Sequence, residues 1–301
     1  MEETEKKDLS ESRTFGIAVI ALVYIAAAAG GIALGLLLPF GLWLNTLLAD
    51  IAATVFVFVF SVALRNASVY DAYWSVQPIV ILAACLAVSG ASPAGLIIFI
   101  PVCVWGVRLT VNWAYTFKGL GAQDWRYTML KEKTGALYPL INFIGIHMVP
   151  TLVVWGCTLP AAYAVVLKPE INAGYIIFAA LVLASCVWQG IADAQMHVFR
   201  ARGSGGFIRE GLWKYSRHPN YLGEISVWWA VALASLCVQP GMWYLIFGAV
   251  ANTLLFIFIS IPLAEGHQSR KPGYEEYRRA TRALLPLYKR SRTAEPEGEN
   301  E

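Results

Sequence analysis

One polar stretch in the last third of the chain carries residue types that could do chemistry. It reads Gly-Leu-Trp-Lys-Tyr-Ser-Arg-His-Pro-Asn-Tyr-Leu-Gly-Glu over residues 211–224, between two long apolar segments. Arg217 can hold a phosphate or carboxylate, Asn220 an amide or ring edge, and Glu224 can act as an acceptor or acid. Because charged and amide groups beside hydrocarbon are costly unless paired or hydrated, they usually mark a ligand site. The stretch predicts a polar, anionic cofactor held at the membrane face.

The elements that must position this stretch are membrane helices. The chain has 301 residues, of which 57% are hydrophobic and 14% charged, whereas soluble domains carry roughly 25% charged residues. Apolar runs long enough to cross a bilayer recur along the whole length and are too long for barrel strands. We therefore predict an all-α, polytopic membrane helical bundle with seven or eight transmembrane helices. The eight candidate spans are Phe15–Leu38, Leu44–Leu64, Val76–Val88, Ala94–Phe117, Leu140–Val166, Ala173–Phe199, Tyr221–Cys237 and Trp243–Leu263.

Three details of these spans are predicted from local residues. The first span is expected to be a retained helix, since it is too long for a signal peptide. The third is short and begins at Gln77-Pro78, which suggests a re-entrant or tilted segment. Pro150 and Pro160 are expected to kink the fifth span, because proline cannot donate to the helix ladder.

The placement of positive charge predicts the orientation. The loops after the second, fourth and sixth spans carry Lys or Arg, with Arg65 alone in the first of these, and the C-terminal tail is rich in both, whereas the other loops carry only Lys168. By the positive-inside rule both termini and all the basic loops are cytoplasmic. We expect a cofactor cavity open to the cytoplasmic face, in a bacterial inner membrane or, in a eukaryote, the endoplasmic reticulum. The predicted organisation is a tail over 1–14, a transmembrane domain over 15–288 and a disordered tail over 289–301.

Two further polar constellations lie at helical spacing within spans. Asp193 and Arg200 fall within two turns at the end of the sixth span, and Arg108 and Asn112 are i,i+4 neighbours in the fourth. In the functional interpretation Asp193 contacts a ribose or adenine amino group, Arg200 a phosphate, and Arg108 with Asn112 lines a polar cavity. The alternative is structural: Asp193 pairs with Arg200 or with His197 inside the protein.

A third constellation brings an acid, a phenol and an amide beside the membrane. Asp71, Tyr73 and Gln77 precede or begin the third span. They predict recognition of a substrate carbonyl, the alternative being an aromatic interface belt with a loop aspartate. His147 stands alone in the fifth span and is predicted to be a helix-interface residue. No metal site is expected, and no βαβ unit surrounds the glycines at 203–206, which excludes a Rossmann fold.

The order of these motifs resembles the steroid 5-alpha-reductase superfamily, including its bacterial branch catalogued as a domain of unknown function. The resemblance rests on Asp193, Arg200, the Ser-Arg-His-Pro-Asn-Tyr-Leu-Gly-Glu core and Tyr274-x-x-Tyr277, and covers about residues 105–286. It implies a membrane reductase that uses NADPH to reduce a carbon–carbon double bond conjugated to a ketone. The implied substrate is a 3-oxo-Δ4-steroid or a similar enone lipid that enters from the bilayer.

The resemblance also implies roles for particular residues. Tyr73, Gln77 or Asp71 is expected to donate to the substrate oxygen as the enolate forms. Animal members carry a histidine-rich run where this chain has Glu-Gly-His-Gln-Ser-Arg over 265–270, and a Gln-Glu pair where the nearest equivalents are Tyr73 and Gln77. The cofactor-binding set is Arg108, Asn112, Asp193, Arg200, Tyr215, Arg217, His218, Asn220, Glu224, Glu265 and Arg270, with Arg126 and Tyr127 as further positions.

A second function class shares part of the motif. Membrane methyltransferases of the isoprenylcysteine and phospholipid type carry Arg-His-Pro-x-Tyr at a helix start, where it binds S-adenosylmethionine. Asn220, the following Gly223-Glu224 and the upstream Asp193 and Arg200 favour the reductase. A transporter or receptor would spread its polar residues over several membrane depths, whereas here they concentrate toward the predicted cytoplasmic side.

Overall fold

The computed structural model describes residues 12–203 and 205–286, and within them the chain is helical without a strand. The all-α prediction is confirmed. The predicted disordered tail over 289–301, and most of the predicted tail over 1–14, lie outside the described residues. The α-helices are α1 (Arg13–Leu37), α2 (Leu42–Ala63), α3 (Tyr73–Ser89), α4 (Pro93–Thr116), α5 (Trp125–Thr134), α6 (Tyr138–Ile141), α7 (Val149–Leu167), α8 (Ala173–Ala201), α9 (Pro219–Val238), α10 (Phe247–Leu255), α11 (Ile261–Gln268) and α12 (Tyr274–Ala280).

Eight helical stretches in the described part of the chain are long and apolar enough to cross a membrane. Each corresponds to one predicted span, so the chain is an integral multi-pass membrane protein and the higher of the two predicted counts is confirmed. The third span differs from its prediction in its start. A 3-10 turn over Ala67–Tyr70 leads into α3, which begins at Tyr73 and continues through Pro78.

The two prolines of the fifth span act differently. A π-helical turn over Asn142–Met148 immediately precedes α7, and Pro150 lies in the first turn of that helix. Proline has no backbone N–H to donate to the carbonyl one turn earlier. The π-helical turn therefore occurs where the series of helical hydrogen bonds is already interrupted. Pro160 lies inside α7, which runs unbroken past it.

The backbone contacts divide the chain into two compact units, the first comprising the described residues of 1–186 and 227–252. Its largest apolar cluster surrounds the buried rings of Trp105, Tyr175 and Trp228. Gly156 and Gly248 allow close helix contact, because a Cβ on Gly248 would meet the backbone at Gly156. A second cluster joins α1, α2 and the start of α3 around Tyr24, Val57 and Tyr73, among others.

The second unit comprises residues 187–226 and 253–286, with residue 204 outside the description. Trp213 is buried in it and donates through Nε1 to the carbonyl of Ala192 over 3.0 Å. The carbonyl of Trp213 in turn accepts from the Tyr277 hydroxyl. Gly223 lies against α8, where a Cβ would come within 2.7 Å of the Gln189 Cβ. This close approach brings the side chains at the start of α9 into contact with those in the last part of α8.

Candidate functional site

A cavity of about 390 Å³ lies in the first unit, lined mainly by α1, α2 and α3. Along α3 its lining extends from Tyr73 to Ser89, which at 1.5 Å per residue is about 24 Å. The lining residues Leu36 and Val88 have exposed side chains at one end, whereas Tyr73 is buried at the other. The cavity is therefore elongated, with exposed apolar side chains at one end and the other end closed inside the unit.

Three polar side chains meet at the closed end of this cavity. The Asp50 carboxyl accepts from the Tyr73 hydroxyl over 3.0 Å through Oδ1 and from Gln77 Nε2 through Oδ2. Gln77 Nε2 also donates to the carbonyl of Thr151 over 3.1 Å. Tyr73 and Gln77 are i,i+4 neighbours on α3 and so project from the same face. The set offers a phenol and an amide, held by one carboxyl, to any group that enters the cavity.

The structure brings together two of the three predicted catalytic residues. Tyr73 and Gln77 line the cavity, as does Asp50, which the sequence analysis missed. Its signal was present, because Asp50 is an acidic residue inside an otherwise apolar span, and such residues are functional candidates by default. Asp71 instead accepts from the Tyr127 hydroxyl and is not among the cavity-lining residues. The structure thus separates Asp71 from the other two.

His147 lies beside this set, within the π-helical turn. Its ring is fully buried, 4.7 Å from the ring of Tyr70 between centroids. Nδ1 lies 3.0 Å from the carbonyl of Asn142, while Nε2 has no hydrogen-bond partner in the part of the chain that the structure describes. It occupies a helix interface, as predicted, but the expectation that its side chain would be fully satisfied is not met, because only one of its two ring nitrogens has a partner within the described residues.

In the second unit, two amide–carboxyl pairs connect α8 and α9. Asn220 Nδ2 donates to Asp193 Oδ1 over 3.3 Å, and Gln189 Nε2 donates to Glu224 Oε2 over 2.8 Å. The structure therefore brings together three predicted cofactor residues. Gln189 was missed, although it lies one helical turn before Asp193. Its Oε1 is buried and has no partner within the described residues, so it can accept from a ligand N–H.

Arg217 and His218 belong to a buried ion-pair cluster around Glu265. Arg217 Nε and Nη2 lie 2.8 and 2.7 Å from Glu265 Oε1, and His218 Nε2 lies 3.2 Å from the same oxygen. Arg217 Nη1 donates to the carbonyls of Arg278 and Thr281. The side chains of Arg217 and Glu265 are only 9% and 12% exposed. These contacts use the guanidinium to hold residues 278–281 in place.

Backbone pairing strengthens this attachment. Arg217 N donates to the carbonyl of Arg282 and His218 N to that of Ala283, each over 3.0 Å. On α12, burial, and secondarily the charge of Glu265, raises the pKa of Tyr274 to about 12. Its phenol is therefore protonated at physiological pH. The core motif thus has its Arg-His half bound to the C-terminal segment and its Asn-to-Glu half facing α8.

Two cationic residues of the second unit, Arg200 and Lys271, interact with each other, and the sequence analysis did not single out Lys271. Lys271 Nζ donates to the carbonyl of Gly206 over 2.7 Å, and its pKa is lowered by burial and, secondarily, by the charge of Arg200. Two cations close enough to repel each other favour an anion beside them. Tyr215 and Arg270 are exposed in the same unit. In the first unit Arg108 and Asn112 are both half-buried, one turn apart on α4.

Comparison with known proteins gives a family match and two curated relatives. The family described as "Protein of unknown function (DUF1295)" matches residues 57–281. An uncharacterised protein of Schizosaccharomyces pombe is 26% identical over 225 residues, covering 65% of this chain and 61% of that protein. The 3-oxo-5-alpha-steroid 4-dehydrogenase 1 of Macaca fascicularis is 33% identical over 98 residues, covering 32% and 34%. The chain thus matches less than two thirds of the length of either relative.

No solved structure matches the chain. The family match and the macaque relative confirm the resemblance to the steroid 5-alpha-reductase superfamily. The roles assigned to individual site residues stay predictions.

The Glu265 cluster predicts a large effect from one isosteric change. Glu265→Gln leaves Arg217 buried without a carboxylate, and breaking a buried pair from one side typically costs roughly 3–5 kcal/mol. The unfolding midpoint in detergent should fall, and trypsin should cleave more readily after Arg278 in α12. The matched control is Glu210→Gln, since the Arg202–Glu210 pair is more than half exposed on both sides. Equal midpoints for the two variants would contradict a structural role for the cluster.

Proposed function

We propose that this chain, which belongs to the DUF1295 family, is a membrane-embedded reductase. Its proposed substrate is an enone lipid, of which it reduces the conjugated carbon–carbon double bond. The observation that carries the proposal is the polar set of Asp50, Tyr73 and Gln77 at the closed end of an apolar cavity. A ketone is the polar end of such a substrate. The name of the macaque relative, a 3-oxo-5-alpha-steroid 4-dehydrogenase, supports the same reaction class.

The closed end can stabilise the charge that forms in this reaction. When a conjugated double bond is reduced, negative charge develops on the carbonyl oxygen. The Tyr73 hydroxyl then exchanges its acceptor, Asp50 Oδ1, for that oxygen, while Gln77 continues to hold Asp50. Donors that are already positioned in a water-free site usually supply the largest catalytic contribution. Tyr73 is therefore the proposed donor, and Asp50 and Gln77 are its positioning residues.

The second unit offers groups that fit a nicotinamide dinucleotide phosphate. Asn220 and the unpartnered Gln189 Oε1 can bind a carboxamide, which both donates and accepts hydrogen bonds. Arg200 and Lys271 can bind phosphate, since an anion relieves their mutual repulsion. Arg217, His218 and Glu265 keep this region folded. When bound, NADPH would supply the hydride.

The cavity favours a substrate with a hydrocarbon body and a single polar end. At its open end the side-chain amide of Asn45 donates to the carbonyls of Gly35 and Leu38, over 3.1 and 2.8 Å. The Thr46 hydroxyl donates to the carbonyl of Leu42 over 2.7 Å. These groups are satisfied within the protein, so a substrate gains little from polar atoms there. A 3-oxo-Δ4-steroid with an alkyl tail, entering from the bilayer carbonyl first, meets these conditions.

The basic loops support an orientation with both termini and the second unit's cationic groups on the cytoplasmic side. Phosphorylated cofactors are available on that side of a bacterial inner membrane or an endoplasmic reticulum membrane. The proposed enzyme therefore takes its two reactants from different phases.

The first functional prediction concerns the cofactor. NADPH should quench the tryptophan fluorescence of the purified protein. Arg200→Ala and Lys271→Ala should each weaken binding by about 10- to 100-fold, the effect of one lost charge-assisted hydrogen bond. Asn220→Ala should lower turnover more than affinity, because the nicotinamide is misplaced. Arg202→Ala is the control, as its guanidinium is paired with Glu210. Binding of S-adenosylmethionine without a response to NADPH would favour the methyltransferase instead.

The lowered pKa of Lys271 adds a pH dependence to this test. Only the protonated, positively charged amine attracts phosphate. NADPH affinity should therefore fall as the pH rises through the pKa of Lys271, which is lower than that of an ordinary lysine. Lys271→Arg should remove the fall, because guanidinium keeps its proton throughout. An unchanged pH profile in Lys271→Arg would show that Lys271 does not contact the phosphates.

The second functional prediction concerns the donor. With NADPH and testosterone, turnover should fall by about 10²–10³-fold in Tyr73→Phe, as when one donor to a developing oxyanion is lost. Asp50→Asn and Gln77→Ala should lower turnover less, since they leave the phenol in place but misoriented. Tyr24→Phe is the control: Tyr24 also lines the cavity, but its hydroxyl donates to the carbonyl of Val69. Product mass should show a gain of two hydrogens; a gain of one methyl group would contradict the reductase.

The third functional prediction concerns substrate length. Ala84 lines the cavity eleven residues after Tyr73, about 16 Å along α3. Ala84→Phe should lower the kcat/KM for 4-cholesten-3-one by more than about 10-fold, since one misplaced group can cost this much, and change that for the shorter testosterone little. The control is Ala83→Phe on the exposed face of α3. Equal losses on both substrates would show that the outer half of the cavity does not hold the tail.

A further inference from the structure

A cation lies at the outer end of the cavity in the first unit, where Leu36 and Val88 are exposed. Lys168 follows α7 directly, and its Nζ donates to the carbonyl of Ser89, the last residue of α3. Ser89 lines the cavity, as does Val166 near the end of α7. The ammonium group is therefore held against a lining residue, although Lys168 does not line the cavity itself.

The backbone of Lys168 shows that this placement is not the usual one for a helix end. Its φ of 49° and ψ of 54° lie in the left-handed region, where helices usually end on glycine because glycine has no Cβ. Lysine at this position is less favourable for the backbone, but it adds a bond between the ends of α7 and α3 that glycine could not make. A non-glycine residue held in this region is a reason to look for a function.

Charge is scarce at this end of the first unit. The loops that connect its helices here are 38–41, 90–92, 168–172 and 239–240. They contain two charged residues, Lys168 and Glu170. Lys168 has no carboxylate partner in the described part of the chain, and the Ser89 carbonyl occupies one of its three N–H donors. Two donors are therefore available to a ligand.

An anion on the substrate would have to lie beyond the cavity lining. Inside the outer end, the donor groups of Asn45 and Thr46 are already bonded to backbone carbonyls. A carboxylate left among the apolar side chains would be costly, since it would be neither hydrated nor paired. It must therefore extend past the lining, where Lys168 is held. The distance along α3 from Tyr73 to Ser89 is about 24 Å, so only a long substrate reaches both ends.

We propose that Lys168 binds an anionic group at the tail end of the substrate, which makes lipid acids the preferred substrate class; this rests on the proposed reductase function. The ketone of such a lipid lies at Tyr73, and its carboxylate lies at the ammonium group of Lys168. Because the carboxylate stays at the outer end, the lipid can enter only with its ketone first. Lys168 thus contributes to affinity and to the direction of entry, and it takes no part in the transfer of hydride.

A pair of substrates with and without the carboxylate tests this assignment. The compounds 3-oxo-4-cholestenoic acid and 4-cholesten-3-one share their ring system and differ at the end of the tail. The ratio of their kcat/KM values, acid over ketone, cancels any general damage to the enzyme. Lys168→Gln should lower this ratio by about 5-fold, the upper end of the range for an exposed ion pair, through KM and not through kcat. Lys168→Arg should keep the ratio, because it keeps the charge.

A shorter acid separates a direct contact from general attraction. The compound 3-oxo-4-cholenoic acid carries its carboxylate on a shorter side chain, which does not extend to Lys168 when the ketone lies at Tyr73. Lys168→Gln should change its kcat/KM by less than about 2-fold, since screened charges that do not touch interact weakly. An equal loss on both acids would mean that the lysine acts only through long-range attraction, and the proposal would be overturned.

Further variants and the lipid composition serve as controls. Lys118→Gln removes an exposed cation beyond the last residue of α4, the helix that begins at the outer end, and should leave the ratio unchanged. Glu170→Gln removes the neighbouring negative charge and should raise the ratio. A wild-type ratio in Lys168→Gln would overturn the proposal. So would a Lys168-dependent change in KM for the neutral ketone when phosphatidylglycerol replaces phosphatidylcholine in vesicles, because the lysine would then bind lipid headgroups.

Binding without NADPH supplies a readout that does not depend on turnover. Calorimetry in a neutral detergent should show that Lys168→Gln weakens the binding of 3-oxo-4-cholestenoic acid by about 5-fold and leaves that of 4-cholesten-3-one unchanged. If the wild-type protein binds the acid in this way but reduces no enone, the reductase proposal fails and the role of Lys168 stands. If it reduces both substrates and Lys168→Gln has the wild-type ratio, only the role of Lys168 fails.

Discussion

The carboxyl group of Asp50 is the constraint on which the first unit depends. A carboxyl inside an apolar helix bundle is tolerated only when its lone pairs are satisfied. Here α3 supplies both donors, Tyr73 and Gln77, and Gln77 also reaches the α7 backbone at Thr151. The need to satisfy one acidic side chain therefore fixes the register of α3 against α2 and α7. The same contacts define the closed end of the cavity, so the fold and the proposed chemistry share one determinant.

The second unit solves a similar problem with full charges. Glu265 gathers Arg217 and His218 in a nearly water-free cluster and ties the C-terminal segment to the start of α9. The most distinctive motif of the chain thus serves two purposes within a few residues. Its Arg-His half maintains the structure, and the following Asn220 and Glu224 face α8. A substitution in this motif would lower the stability of the protein and could also remove contacts of the proposed ligand. The two effects are separated by comparison with substitutions in an exposed ion pair such as Arg202–Glu210.

The sequence predicted whatever depends on local spacing. Long apolar runs predicted the eight spans, and the closeness of Tyr73 and Gln77 in sequence predicted that a phenol and an amide would meet beside the third span. Asp50 was visible in the sequence as an acidic residue within an apolar span, but its partners depend on which helix packs beside α2, and a period of 3.6 residues does not show helix pairing. Gln189 and Lys271 were missed for the same reason, since their partners, Glu224 and Gly206, are distant in sequence. The prediction that Arg217 could hold a phosphate or carboxylate did not include Glu265, the carboxylate that it contacts, because only tertiary contacts decide which partner is near.

The two units also differ in the kind of polarity they use, and the difference matches the phases that the two proposed reactants would occupy. Apart from Asp50, the cavity relies on neutral groups, which cost little in low dielectric when they are hydrogen-bonded. Such groups become strongly attractive when charge develops on a substrate oxygen, because little water is present to screen it. Apart from the Asp50 carboxyl, which is bonded to Tyr73 and Gln77, a lipid substrate would therefore meet no charged side chain along the cavity. A phosphorylated cofactor is charged before it binds, so its proposed partners, Arg200 and Lys271, must be cations within reach of water. The separation of neutral donors from permanent charges is what a reaction between a lipid and a water-soluble nucleotide requires.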